Sequence, residues 1–266
     1  DANTTASNNT AVGDSALGAN TTGTQNTAVG TKALDANTTG NELTAMGYNS
    51  LGANTSGCYN VAVGDNALAA NTTGNDNTTI GMRSLLNNTT GTNNTGVGRN
   101  ALRENTTAAN NTAVGSSSLA CNSTGANNVA IGRNALLANT IGCENTAIGY
   151  KALVENTGNG HQNVAVGCGA LHGQSGNCSY RNIAIGVSAG KCITTGTDNA
   201  IIGYGSAVNI TTGKFNTLLG GALSGITGAT GEALTSGCCN VAVGNGALKL
   251  TTTANNNTAV GTLALS

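Results

Sequence analysis

Apolar and polar positions along this chain recur at a fixed interval. The segment Asn9-Thr10-Ala11-Val12-Gly13 returns as Asn26-Thr27-Ala28-Val29-Gly30, and its glycine reappears at Gly47, Gly64, Gly81, Gly98, Gly115, Gly132 and Gly149, always 17 residues on. The series then runs through Gly167, Gly186, Gly203, Gly220, Gly244 and Gly261 with spacings of 18, 19, 17, 17, 24 and 17. Fifteen copies of a unit close to N-T-A-V-G-x-x-A-L-x-x-N-T-T-G-x-x result. Short β-branched runs bounded by Gly and Asn read as strand and turn. A unit this short is one coil of a parallel β-solenoid rather than a helical hairpin. The expectation is an all-β parallel solenoid of about 15 coils of 17 residues, each with two short strands and two turns. At ~4.8 Å per coil it would span on the order of 70 Å.

The columns predict a core. The position before the glycine is apolar in every copy, as at Val12, Val29, Val63, Val114 and Ile131. Leu17, Leu34, Leu68 and Leu136 mark a second apolar column, from which Gly190 and Val208 depart. Thr10 and Val12 share one face of a strand, with Asn9, Ala11 and Gly13 on the other. Two facing sheets about 10 Å apart would leave a void between layers of Ala, so the Val/Ile and Leu columns are assigned to the inside. Ile201 and Leu218 interrupt the small Ala11 column. Gly13, Gly30, Gly64 and Gly132 are assigned to turns that need positive φ. The Asn column, broken only by Leu43, is expected to stack as an amide ladder. The chain reads as one repetitive domain over 1–266, with irregular coils at 150–186 and 221–244, the second bulging as a surface loop around Gly225 to Gly237. It opens on Asp1, and both ends are already in register with the repeat, so the array is expected to continue into a longer fibre.

Composition narrows the function. Aromatic residues are 2% and charged residues 8%, with a net charge of -1 and 10 scattered basic residues. That excludes the clustered cations phosphate binding needs, so no nucleic-acid partner is expected. No run of 18 apolar residues suggests membrane insertion. The acidic residues, such as Asp14, Asp35, Glu104 and Glu144, sit at variable positions, and no nucleophile, phosphate-loop or metalloprotease motif is present. No enzyme activity and no cofactor are expected.

The N-x-A-V/I-G core followed by A-L resembles the head repeats of YadA-type trimeric adhesins. It is more similar still to the NTAVG…AL…NTTG arrays of bacteriophage tail and neck fibres. The resemblance covers essentially the whole chain. It implies a left-handed β-roll, a homotrimer (intertwined or side by side) and a structural role as a shaft or adhesive rod in host attachment. The implied partners are further copies of the chain, other virion fibre, tail or neck proteins, and a host surface receptor. The implied location is the virion surface, with a bacterial cell-surface adhesin head as the alternative. The 17-residue period is longer than the repeat usual in those heads.

Three minor readings stand beside this one. Thr pairs at Thr21-Thr22, Thr38-Thr39, Thr72-Thr73 and Thr89-Thr90 would offer a Thr ladder to ice, although Ala108, Ile141 and Gly158 are read as interrupting it and only one Thr of each pair faces out. Sequons such as those at Asn20 and Asn71 could carry glycans, although an amide ladder accounts for them equally. His161 and His172 lie near Cys168, Cys178 and Cys192 without the spacing of a zinc site, so no metal is assigned. The eight cysteines, with Cys58, Cys121, Cys143, Cys238 and Cys239 completing the set, suggest stapling in an oxidising setting. Cys58 and Cys143 lie five coils apart and Cys121 and Cys192 four, too far to pair within one chain. Cys238 and Cys239 point to opposite sides if extended, and are the best candidates for interchain disulfides.

Overall fold

Each coil contributes one short strand, and the strands stack in parallel. The computed structural model describes residues 5–157, 160–173, 179–222 and 228–266, which form two units, 1–127 and 128–266. The first unit holds β1 (Thr10–Val12), β2 (Thr27–Val29), β3 (Thr44–Met46), β4 (Val61–Val63), β5 (Thr78–Ile80), β6 (Thr95–Val97) and β7 (Thr112–Val114). The second holds β8 (Val129–Ile131), β9 (Thr146–Ile148), β10 (Val164–Val166), β11 (Ile183–Ile185), β12 (Ala200–Ile202), β13 (Thr217–Leu219), β14 (Val241–Val243) and β15 (Thr258–Val260). Within each unit successive strands pair in sequence order, column on column, as in Thr10↔Thr27 and Ala165↔Ala184. Each unit is therefore a parallel β-solenoid with one coil per repeat. The extra residues of the longer coils leave this register intact, since β13 and β14 still pair Thr217 with Val241. The expected bulge at 221–244 falls partly on residues 223–227, which lie outside the described residues.

Among the described residues the second strand expected in each coil is absent. The Leu column occupies its place, in the left-handed region: Leu34 has φ 53, Leu68 φ 54 and Leu136 φ 52. The residue two before each Leu is also left-handed, as at Lys32, Asn66 and Asn134. Two left-handed residues so close together turn the chain sharply and prevent a strand. A non-glycine residue in this conformation costs roughly 1–2 kcal/mol. Full burial of the Leu side chain returns roughly 1.5–3 kcal/mol, and Leu34, Leu68 and Leu136 are each 0% exposed. The turn also keeps its backbone paired, because the N–H of Leu34 donates to the carbonyl of Ser50 in the next coil at 3.0 Å. Burial and pairing together outweigh the strain.

The inside of the strand is the Ala column, which corrects the assignment of the Val/Ile column to the core. Ala28, Ala45, Ala62, Ala113 and Ala130 are 0% exposed. Val12, Val114 and Ile131 are exposed, and Val29 and Val63 are half-buried. The lumen lies between one strand and one leucine-bearing turn, not between two sheets. At Gly96, in the Ala column, a Cβ would already sit 3.2 Å from Leu85 Cδ1 and 2.6 Å from Ser84 Oγ. Small side chains such as Ala28 and Ala62 fill that gap in most coils. The Leu assignment agrees with the structure at Leu34, Leu68 and Leu136, while Leu17, in the first coil, is half-buried. The glycines Gly13, Gly30, Gly64 and Gly132 follow their strands with φ between 129 and 138. At Gly64 a Cβ would lie 2.7 Å from the backbone carbon and oxygen of Gly81. Stacking and backbone conformation thus both demand glycine there.

Coils 11 to 13 fill the same lumen by another route. Their Leu column carries Gly190, Ala207 and Gly231, so the position assigned from sequence to Val208 belongs to Ala207. Ile201 and Leu218 take the Ala column, and Ile193, Ile210 and Leu234 replace buried asparagines. A Cβ on Gly190 would meet Ile201 Cδ1 at 3.1 Å and Ile193 Cδ1 and Leu171 Cδ2 at 3.2 Å. Side chains from neighbouring walls occupy the volume that Leu vacates, as close packing requires.

This exchange predicts coupling between columns. Leu68→Gly and Asn71→Ile are each expected to destabilise the first unit, one by a cavity and the other by overpacking and broken hydrogen bonds. The double variant should be less destabilised than the sum, by about 0.5–3 kcal/mol in chemical denaturation. Strict additivity would refute the compensation.

Candidate functional site

With Ala turned inward, the strands present two columns outward. In the first unit one column is Thr10, Thr27, Thr44, Val61, Thr78, Thr95 and Thr112, and the other is Val12, Val29, Met46, Val63, Ile80, Val97 and Val114. Met46 is 44% exposed and Ile80 46%. In the second unit Ile131, Ile148, Ile185, Ile202 and Val260 are exposed at the equivalent strand position. Neither column contains a charged residue. A soluble chain does not ordinarily keep an ordered row of exposed β-branched side chains unless something covers it. The row is also a strict ladder, set by backbone pairing rather than by loops.

The polar repeat residues are structural. Two asparagine ladders stack the described coils, the second giving way to Ile193, Ile210 and Leu234 in coils 11 to 13. In one, Asn26 Nδ2 donates to the Gly40 carbonyl at 2.9 Å and Asn26 Oδ1 accepts the Leu43 N–H at 3.0 Å. In the other, Asn71 Nδ2 donates to Asn54 Oδ1 at 2.8 Å and to the Gly74 carbonyl at 3.0 Å, and Asn71 Oδ1 accepts from Asn88 at 2.9 Å. The sequon asparagines Asn20 and Asn71 belong to this second ladder and are 2% and 0% exposed. The folded chain has no room for a glycan on either amide.

The threonine pairs divide their work. The first of each pair bonds to the next coil, as in Thr21 Oγ1 to the Thr38 carbonyl at 3.0 Å and Thr72 Oγ1 to the Thr89 carbonyl at 3.1 Å. The second, at Thr22, Thr39, Thr73 and Thr90, is exposed on a bend rather than on a strand. The flat, sheet-borne threonines are those of the Thr10 column, which pattern reading by pairs does not find.

Among the described residues, Cys58, Cys121, Cys143, Cys168, Cys192, Cys238 and Cys239 form no disulfide. Cys178 lies outside the described residues. Cys58 and Cys238 point their thiols at turn carbonyls two residues back, Ser56 and Ser236, each at 3.4 Å. The Cys238–Cys239 pair is not extended as expected, because Cys239 is left-handed with φ 59 and exposed. His161 belongs to the same backbone-bonding column as Cys143. Its Nδ1 accepts the Cys143 N–H at 2.9 Å, and its ring stacks on Tyr180 with centroids 5.8 Å apart. His172 lies against the Gly173 carbonyl at 3.4 Å. Among the described residues no three His, Cys, Asp or Glu side chains are grouped to hold a metal ion.

One charged contact spans coils in the second unit. Arg181 Nε and Nη2 meet Asp198 Oδ1 and Oδ2 at 2.6 and 3.1 Å. The hydrogen bonds from Arg181 hold the Asp198 carboxyl below the usual carboxylate range, and Asp198 in turn raises the pKa of Arg181. Because the folded pKa of Asp198 is depressed, the pair stabilises fully above the unfolded carboxylate value and loses its effect as pH falls through the folded one. The site is open to solvent, so the effect on stability is small. A carboxyl-detected NMR titration should show Asp198 with a midpoint below that of exposed aspartates, returning toward theirs at high salt. A midpoint at the ordinary value would refute the pairing.

Comparison with protein-family models, with curated proteins and with solved structures finds no match for the chain.

Proposed function

We propose that the chain is a structural segment of an extracellular fibre, working as a homotrimeric shaft or adhesive rod on a virion, with phage tail or neck fibre ahead of a bacterial adhesin head. The carrying observation is the uncharged, exposed Val/Ile ladder. It is a regular strip that other copies can cover in register, rank against rank. Valine and isoleucine are stiff at χ1 and lose little freedom when covered. The exposed Cys168 and Cys239 are the thiols best placed for bonds between chains. The resemblance to NTAVG arrays supports the reading, and the other virion fibre proteins and a host receptor follow from it as partners.

Sedimentation at micromolar concentration is expected to give three times the 25.9 kDa chain mass. The double variant Ile80→Lys and Val114→Lys should shift it to monomer, because three ammonium groups per rank cannot be buried unpaired. A monomeric parent protein would overturn the trimer. Non-reducing gels of thiol-blocked protein are expected to show linked chains, and monomers alone would remove the disulfide.

A second reading draws on the Thr10 column, where six of the seven positions in the first unit are Thr beside the Val/Ile column. Such an array is what an ice-binding solenoid would offer. The trimer would cover it, so no thermal hysteresis is expected. Hysteresis in a nanolitre cryoscope would promote this reading.

A further inference from the structure

A cavity opens beside coils whose inward columns depart from the repeat. It has a volume of about 350 Å³ and lies in the second unit, lined by Lys191, Tyr204, Gly205, Val208, Asn209 and Glu232 among others. Two features open it. The position two before the Leu column carries Gly205 here, as it carries Gly169 and Gly246 in two other coils, where Lys32, Asn49, Arg83 or Lys151 stands elsewhere. A Cβ at Gly205 would meet nothing nearer than Ala229 Cβ and Val208 Cγ1 at 3.9 Å, so the space above it is open. Ala222 and Ala229 of the 24-residue coil also line it.

The lining combines groups that are scarce in the rest of the chain. Tyr204 is one of five tyrosines and is 53% exposed. Lys191 is exposed, and among the described residues it takes part in neither ion pair. Glu232 is held in place, with Oε2 accepting the Gly228 N–H at 2.8 Å, while its own carbonyl accepts from Asn209 Nδ2 at 2.9 Å. An apolar floor, an aromatic surface and a few fixed polar groups are the ingredients of a small-ligand site. The volume suits one or two sugar rings. A pyranose offers a C–H face to Tyr204 and hydroxyls to Asn209 and Glu232. Lys191 adds an ammonium that takes part in neither ion pair of the described residues and can meet a carboxylate.

We propose that this cavity binds a carboxylated pyranose, such as a terminal uronate of a surface glycan. The inference extends the attachment role proposed above but does not depend on the trimer, since every lining residue belongs to one chain. Sedimentation and sugar binding therefore fail separately.

The test is an NMR titration of the whole protein with methyl glucuronide, free glucuronate and methyl glucoside. An open single-ring site should bind methyl glucuronide with a Kd of about 1 mM. The glucoside should bind about tenfold more weakly. Gly205→Asn should abolish binding without unfolding the coil, because Asn49, Asn66, Asn100 and Asn134 already occupy that conformation. Tyr204→Ala should weaken both sugars, and Lys191→Gln should erase the preference for the charged one. Both side chains are exposed, so circular dichroism should be unchanged. Absence of glucuronide binding, equal binding of the glucoside, or binding that survives Gly205→Asn would each overturn the proposal. Binding of free glucuronate alone would overturn the glycan assignment.

Discussion

Every coil depends on the one stacked against it through buried asparagine amides. A primary amide has two donors on nitrogen and two acceptor sites on oxygen. In the Asn54–Asn71–Asn88 series the nitrogen reaches both the preceding amide and a carbonyl in its own turn, while the oxygen receives the next amide. Buried polar groups that lose such partners cost about 1–3 kcal/mol each. The ladders therefore fix the register more strictly than apolar contact could. A slip by one residue would strand both rows of amides at once. The strand pairing stays in step across the longer coils because the first ladder still joins Asn145 to Asn163, Asn163 to Asn182 and Asn216 to Asn240.

The second constraint is the narrow lumen. A three-residue strand offers one inward side chain, and the opposing turn supplies one leucine. Where leucine is lost, at Gly190 and Ala207, Ile201 and Leu218 grow inward from the strand and Ile193 and Ile210 from the asparagine column. A fully apolar coil can thus replace one ladder locally, provided that the other ladder, Asn182 to Asn199 to Asn216, persists through the same coils.

This division explains what could be read from the sequence. The period, the coil count, the turn glycines and the existence of amide ladders all follow from repetition, because a residue kept at every seventeenth position must serve stacking. The inward face did not follow. In Thr-Ala-Val either parity is consistent with alternation, and hydrophobicity alone favours Val. The choice depends on the distance to the opposing wall, which is short because Leu34 and its equivalents adopt a left-handed turn instead of a strand. Leucine carries no local signal for that conformation. Tertiary burial imposes it. The cavity beside Tyr204 was equally hidden, since it requires Gly205, Ala222 and Ala229 from different coils to leave the same space empty.

Repetition also limits where recognition can arise. A ladder presents the same side chain at each rank, so it suits a partner with the same repeat, and a copy of the chain has that repeat by construction. A discrete small ligand needs several unlike groups converging on one point. Identical coils cannot supply them. Only coils that break the pattern can, and each break must still satisfy the amide ladder and the lumen volume. Coils 11 to 13 meet both conditions: the volume exchange keeps the core closed, and Asn182, Asn199 and Asn216 hold the stack. The outer turn is then released from the repeat and can vary. Lys191, Tyr204 and Glu232 sit on that freed surface, on three successive coils whose spacing is set by the backbone. The same stacking that makes the regular face suited to self-association thus makes the irregular one a fixed frame for a ligand.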